Sequence, residues 1–126
     1  MNFSHITLKN LACFIYEALK RRGIDAVLVG GACVSIYSKN RYQSYDLDFV
    51  TYEELKDFKT LKTSSGSLQL LTPTDCVKDR LASFFYWNDA QGFEQALLVA
   101  ENHKINLDDL KRWAKAEGHS NKLKEF

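Results

Sequence analysis

The chain of 126 residues has the length of one domain, and its 45% hydrophobic content is enough to bury a single core. Its 17 Lys and Arg residues nearly balance 16 Asp and Glu residues, which gives a net charge of +1. The chain as a whole therefore has no strong positive charge that would attract duplex nucleic acid or an anionic membrane. No apolar run approaches the ~20 residues of a membrane span, and the N-terminal residues lack a signal-peptide pattern. We therefore expect a cytoplasmic protein of one domain, residues 1–126, without a membrane partner.

The first predicted element is an amphipathic helix over residues 7–22, and Gly23 stands where its C-terminal cap belongs. Apolar side chains recur on one side of this segment with the spacing of a helix. These positions are Leu8, Leu11, Ala12, Ile15 and Leu19.

A strand, a glycine turn and a helix are predicted to follow in direct succession. Residues 24–29 are rich in β-branched side chains and run into Gly30 and Gly31, after which residues 32–37 are compatible with a helix. Residues 38–44 are polar. Residues 45–50 then alternate acidic and apolar side chains, which predicts a half-buried strand. The pleat of this strand would place Asp46 and Asp48 on one face.

The middle of the chain is short. Thr51 and Glu54 form a capping-box pattern that predicts a helix to about residue 62. Residues 63–67 predict a flexible turn and residues 68–71 a brief third strand.

The second half is predicted to be helical. Pro73 and Asp75 open a helix that should reach Trp87, and further helices are expected over residues 91–103 and from Asn106 to about residue 118. The order of elements predicts an α/β (α+β) fold. A small mixed sheet covered by helices would occupy residues 1–71, a helical half residues 72–118, and a frayed tail residues 119–126.

The three cysteines predict buried, reduced thiols. They are odd in number, far apart in the sequence and set among apolar neighbours, which does not suit a disulfide framework or a zinc site. They are Cys13, Cys33 and Cys76.

Two short motifs carry candidate chemistry. Asp46 and Asp48 on one face of a strand would repel each other unless a cation lay between them, so the pair favours a Mg²⁺ site. The alternative is a solvated strand face. Gly30 and Gly31 would leave backbone N–H groups open to a phosphate at the start of a helix. The alternative there is a tight turn without a ligand.

In order and spacing these motifs resemble the signature of the polymerase-β-like nucleotidyltransferases. The match consists of residues 27–32 (Val-Leu-Val-Gly-Gly-Ala), a short helix, a polar loop with Arg41 and Ser44, and residues 46–49 (Asp-Leu-Asp-Phe). It covers residues 24–51 in detail and is closest in style to the minimal and toxin-type bacterial members of that superfamily. The implied fold is a nucleotidyltransferase-like topology.

The resemblance also implies a site and a reaction. Gly30 and Gly31 would hold the triphosphate of an NTP, and Asp46 and Asp48 would bind Mg²⁺ or Mn²⁺. An acceptor hydroxyl on a small molecule, protein or RNA would then attack the α-phosphate. The family often places a lysine on a comparable later helix, which makes Lys78 a nucleotide-binding candidate beside Arg80. Their alternative role is that of solvated helix cations.

One carboxylate of the family pattern is missing. A third acid usually lies on a later strand, but residues 68–71 hold none, and Glu53, Glu54 and Asp57 fall on a predicted helix. Asp75 and Asp79 are alternatives that could reach the site, but both are explained as ordinary helix residues, Asp75 in the first turn and Asp79 on the exposed side. We therefore expect Mg²⁺–NTP binding to persist while nucleotidyl transfer is weak or lost, since a positioned general base commonly contributes ~10²-fold or more.

The remaining hypotheses differ in class. The chain is an active nucleotidyltransferase, a degenerate member that binds nucleotide or a partner (for example as a non-catalytic, antitoxin-like regulatory module), or a purely structural interaction module. The aromatic run Phe84 to Trp87 is either buried in the helical half or a partner surface. A homodimer, which we predict, would cover both the aromatic run and open sheet edges.

Overall fold

The computed structural model describes residues 7–51 and 57–126, which form a mixed α/β fold. Helices and strands follow the predicted order with two differences, a strand in the middle of the chain where a helix was predicted and a short helix in the C-terminal tail. Their bounds are α1 (Leu8–Arg21), β1 (Ala26–Val29), α2 (Gly31–Tyr37), β2 (Asp48–Thr51), β3 (Lys59–Thr63), β4 (Gly66–Leu70), α3 (Pro73–Trp87), α4 (Ala90–Asn102), α5 (Leu107–Ala116) and α6 (Ser120–Leu123).

Helix α1 begins and ends where its sequence predicts. The side chain of Thr7 accepts a hydrogen bond from the N–H of Asn10, which satisfies one of the free donors of the first turn. Lys20 and Arg21 place positive charge at the C-terminal end of the helix dipole. The apolar side of α1 packs on the sheet and buries Ala12 and two neighbouring core positions.

The sheet has the strand order β2-β1-β4-β3. Strand β1 is one of its two inner strands and pairs antiparallel with β2 and parallel with β4, so that Leu28 lies between Phe49 and Leu70. Leu28 and Leu70 are buried, while the outer strands are largely exposed. The turn after β1 therefore lies at the point where β2 begins.

The predicted helix to about residue 62 is wrong over residues 59–62, which belong to strand β3. This strand makes an antiparallel hairpin with β4, and Gly66 turns the chain with a φ of +123°. The hydroxyl of Thr63 closes the turn, donating to the Gly66 carbonyl and accepting from the N–H of Ser65. Strand pairing and β-branched threonines outweigh the local capping signal here. The first part of that predicted helix, residues 52–56, lies outside the described residues.

The three long helices of the second half begin next to capping residues, close to their predicted starts. Thr72, Asp89 and Asn106 each accept a backbone N–H from the first turn of α3, α4 and α5. The expected fraying of the tail is wrong, because residues 120–123 form α6. The Lys122 ammonium donates to the carbonyl of Phe85, and this contact ties α6 to α3.

The aromatic run on α3 divides between core and surface. Phe85 is only 2% exposed and stacks on Trp113 at a centroid distance of 5.4 Å. Trp87, at the end of the same helix, is 82% exposed. One part of the run thus fills the helical half, and the other is open to a partner.

The prediction of buried, reduced cysteines is confirmed, because all three are free and buried. The Cys33 thiol donates to the Leu28 carbonyl at 2.8 Å. Burial raises the pKa of this thiol, and the neighbouring Cys76 thiol adds to the effect. Over the described ranges, no helix is long and apolar enough to cross a bilayer.

Candidate nucleotide and metal site

The glycine turn joins the inner strand β1 to helix α2. Gly30 has φ 73° and ψ −154°, a backbone conformation that is essentially restricted to glycine. Its carbonyl accepts the N–H of Cys33 at 3.1 Å, and among the described residues no side chain caps the first turn of α2. The predicted strand, turn and helix are confirmed here, and the turn has a sharply defined geometry.

Asp48 lies against this turn. It is the first residue of β2 and pairs with Val29, the last residue of β1. One oxygen of its carboxylate, Oδ2, is 3.2 Å from the point where a Cβ atom on Gly30 would stand. The antiparallel register therefore delivers an exposed carboxylate to the glycine turn.

Asp46 reaches the same region by another route. The strand predicted for residues 45–50 starts only at Asp48, so the argument from the strand pleat does not apply to Asp46. The Ser44 hydroxyl instead donates to the Asp46 carbonyl at 3.0 Å and accepts its N–H at 3.3 Å. This local hydrogen bonding holds the backbone of Asp46 in a turn just before β2.

Ser44 connects that turn to helix α2. Its backbone N–H donates to the Ser35 hydroxyl at 2.7 Å, and its own hydroxyl lies 3.4 Å from the ideal Cβ position of Gly31. Tyr42 closes on the same glycine, with Cε1 3.2 Å from that position. The structure thus brings Gly30, Gly31, the loop residues Tyr42 and Ser44, and Asp48 together.

The sequence did not reveal the role of Ser35, which accepts the N–H of Ser44. Its only signal in the sequence is a hydroxyl inside an otherwise apolar helix.

Lys78 does not extend toward this region. Its ammonium lies 2.9 Å from Asp109 Oδ2 and 3.6 Å from Asp75 Oδ1, and these contacts join α3 to α5. Arg80 binds Asp79 and the Gln95 side chain. Within the described residues, no ion pair or hydrogen bond links either cation to the glycine turn or to the two aspartates. The nucleotide-binding role of Lys78 stays a prediction.

A third carboxylate does not join the pair from the neighbouring strands. β3 and β4 contain no acidic residue, and β4 pairs with β1 rather than with β2. Asp57 is exposed outside the strands, and Glu53 and Glu54 lie outside the described residues. In the part of the chain that the structure describes, no three His, Cys, Asp or Glu side chains are grouped to hold a metal ion.

Two aspartate carboxylates fit a magnesium ion whose remaining ligands are water molecules and substrate phosphates. Mg²⁺ is usually held by one or two carboxylates together with water and substrate phosphates. Asp46 and Asp48 are both exposed; the Asp48 carboxylate lies against Gly30, and the backbone of Asp46 is held in the turn just before β2. Comparisons with protein-family models, with curated proteins and with solved structures gave no match.

Proposed function

We propose that this chain is a nucleotidyltransferase-like protein that binds a Mg²⁺–NTP complex. The observation that carries the proposal is the position of the Asp48 carboxylate, 3.2 Å from the ideal Cβ position of Gly30. A triphosphate on the glycine turn would lie beside carboxylates that seat its metal ion. The succession β1, glycine turn, α2 and antiparallel β2 supports a nucleotidyltransferase-like topology.

Each group would have a defined task. Gly30 and Gly31 carry no side chain of their own, so phosphate oxygens would approach their backbone beside the neighbouring Tyr42, Ser44 and Asp48. Asp46 and Asp48 would hold Mg²⁺ or Mn²⁺, which supplies charge neutralisation and Lewis acidity at the phosphates. In transfer, an acceptor oxygen would form a bond to the α-phosphorus while the bond to the β-phosphate oxygen breaks, and pyrophosphate would leave.

The proton of the acceptor hydroxyl has no clear destination. A positioned base usually takes it during the attack, and the described residues offer no third carboxylate beside Asp48. We therefore propose a protein that binds nucleotide well and transfers it weakly or not at all. This absence also favours a second candidate function, a non-catalytic partner-binding or regulatory module of antitoxin-like type on the same fold.

Incubation with each α-³²P-labelled NTP, Mg²⁺ and cell extract as the source of acceptors tests the transfer step. We expect transfer to be about 10²-fold or more below that of a site with its base in place. The Asp46→Asn/Asp48→Asn variant sets the background. Robust multiple turnover by the wild type would contradict weak transfer and point to Asp57, Asp75 or a partner subunit as the missing acid.

A homodimer and a cytoplasmic location complete the proposal. Trp87 is 82% exposed on α3, and β2 and β3 are the outer strands of the described sheet. Exposed aromatic rings and open strand edges are the features that a second subunit covers.

A further inference from the structure

Three cavities that share lining residues lie on the molecule, and Ser44, from the loop beside the glycine turn, lines the first of them. The first, of about 530 Å³, has Ser44 and Tyr45 at one end and shares Ser35 and Asn40 with the second, of about 440 Å³. The second shares Lys9 and further residues with the third, of about 220 Å³. We name these connected cavities the basic groove, which runs between the start of α1, the end of α2 and strand β3.

Among the described residues, the Lys, Arg, Asp and Glu side chains that line the basic groove are all lysines. Lys9 and Lys39 line its second and third cavities, and Lys59 lines the third. All three lysines are exposed, and no ion pair joins them to a described residue. No described Asp or Glu lines any of the three cavities. The groove is therefore a local positive region on a chain whose net charge is only +1.

The lysines project from anchored backbone. After α2 the chain turns through two consecutive left-handed residues, Lys39 at φ 54° and Asn40 at φ 65°. The N–H of Asn40 donates to the Ser35 carbonyl at 2.8 Å and fixes this turn. The ammonium of Lys59 lies over the ring of Tyr37, 5.8 Å from its centroid. Ammonium groups that converge without a carboxylate gain from an anion placed among them.

The other lining groups match a strand of nucleotides. Neutral hydrogen-bonding side chains line the first two cavities beside Lys9 and Lys39, those of Asn10, Asn40, Gln43, Ser35 and Thr63 among them. Tyr45 is 90% exposed at the end nearest Asp46 and presents a ring on which a base can stack. A track of positive charge with an aromatic platform is the usual design of sites for single-stranded nucleic acid.

We propose that the basic groove binds a single-stranded nucleic acid, with backbone phosphates at Lys9, Lys39 and Lys59 and a base against Tyr45. If the proposed function holds, the end of this strand beside Asp46 is the acceptor for nucleotidyl transfer. Binding in the groove itself requires neither Mg²⁺ nor NTP.

Fluorescence anisotropy of a short fluorescein-labelled single-stranded RNA, measured over a series of salt concentrations without Mg²⁺ or NTP, tests the groove. We expect Lys9→Gln/Lys39→Gln/Lys59→Gln to weaken binding roughly 10- to 100-fold and to reduce the slope of log K against log salt by about 2. Tyr45→Ala should weaken binding with little change in that slope, because it removes stacking and no charge.

The matched control is Lys111→Gln/Lys115→Gln/Lys124→Gln, which removes the same charge from exposed positions outside the groove. Equal losses in the two triple variants, or no RNA binding by the wild type, would overturn the proposal. Displacement of the RNA by tripolyphosphate at equal phosphate concentration would overturn the assignment to a nucleic acid and indicate a small phosphate ligand. Because the assay contains neither metal nor nucleotide, a negative result would bear on RNA binding in the groove and not on nucleotide binding at the glycine turn.

Discussion

Replacement of Gly30 by alanine is expected to weaken Mg²⁺-dependent nucleotide binding roughly 10- to 100-fold, the range found when groups that orient metal ligands are disturbed. The new Cβ would stand 3.2 Å from the Asp48 carboxylate and displace it from the turn. The backbone conformation at Gly30 also disfavours any side chain, which should cost about 1–3 kcal/mol of stability. Calorimetric titration with Mg²⁺–ATP and urea unfolding measure the two effects.

Gly23→Ala is the control for backbone strain alone. Gly23 has φ +76° at the end of α1, and among the described residues nothing lies within 4 Å of its ideal Cβ position. We expect a loss of about 1–2 kcal/mol of stability from the left-handed conformation and unchanged nucleotide affinity. The glycine turn would not form the site if Gly30→Ala bound Mg²⁺–ATP with wild-type affinity. The same conclusion would follow if Gly23→Ala lost as much affinity as Gly30→Ala.

Phe85→Ala should destabilise the fold by about 3–5 kcal/mol. Its ring is 2% exposed and stacks on Trp113 and on His119, whose centroid is 5.1 Å away, so truncation leaves a cavity where α3, α5 and the tail meet. Because small domains are stable by only ~5–15 kcal/mol, this is a large share of the total. Urea unfolding followed by circular dichroism gives the value.

Trp87→Ala provides the comparison on the same helix. With 82% of Trp87 exposed, we expect a change within about 0.5 kcal/mol in the free energy of unfolding of the monomer. A stability loss in Trp87→Ala as large as that in Phe85→Ala would contradict the division of the run into core and surface. Light scattering on the wild type and Trp87→Ala tests the proposed homodimer, whose mass should fall toward 14.5 kDa in the variant.

Helices α1 to α5 were predictable from the sequence because their signals are local. Thr72 and Pro73 at the start of α3, and Asn106 at the start of α5, act within one turn of the helix that they open. The starts of α3, α4 and α5 therefore follow from a few neighbouring residues.

The sheet and the site depend on pairing over a distance. Strand β3 exists because it pairs with β4 across the turn at Gly66, and a capping signal at Thr51 and Glu54 carries no information about that hairpin. The register of β2 on β1 places Asp48 beside Gly30, and a one-residue shift would reverse its face. The sequence identified both residues of this contact, but only the folded chain defines its geometry.

The basic groove was not predicted from the sequence. Lys9, Lys39 and Lys59 are far apart in the chain, and the small net charge conceals their convergence. They meet because α1, the turn after α2 and strand β3 lie side by side in the fold. Local charge density, unlike net charge, is a property of the packed elements.

Isothermal titration calorimetry with ATP, in the presence and absence of Mg²⁺, tests the central claim most directly. Wild-type protein should bind ATP only with Mg²⁺, and Asp46→Asn/Asp48→Asn should lose this binding. Asp25→Asn/Asp108→Asn, which removes the same charge at two other exposed positions, should bind as the wild type does. Identical titration curves for the wild type and Asp46→Asn/Asp48→Asn would contradict a Mg²⁺–nucleotide site at the glycine turn.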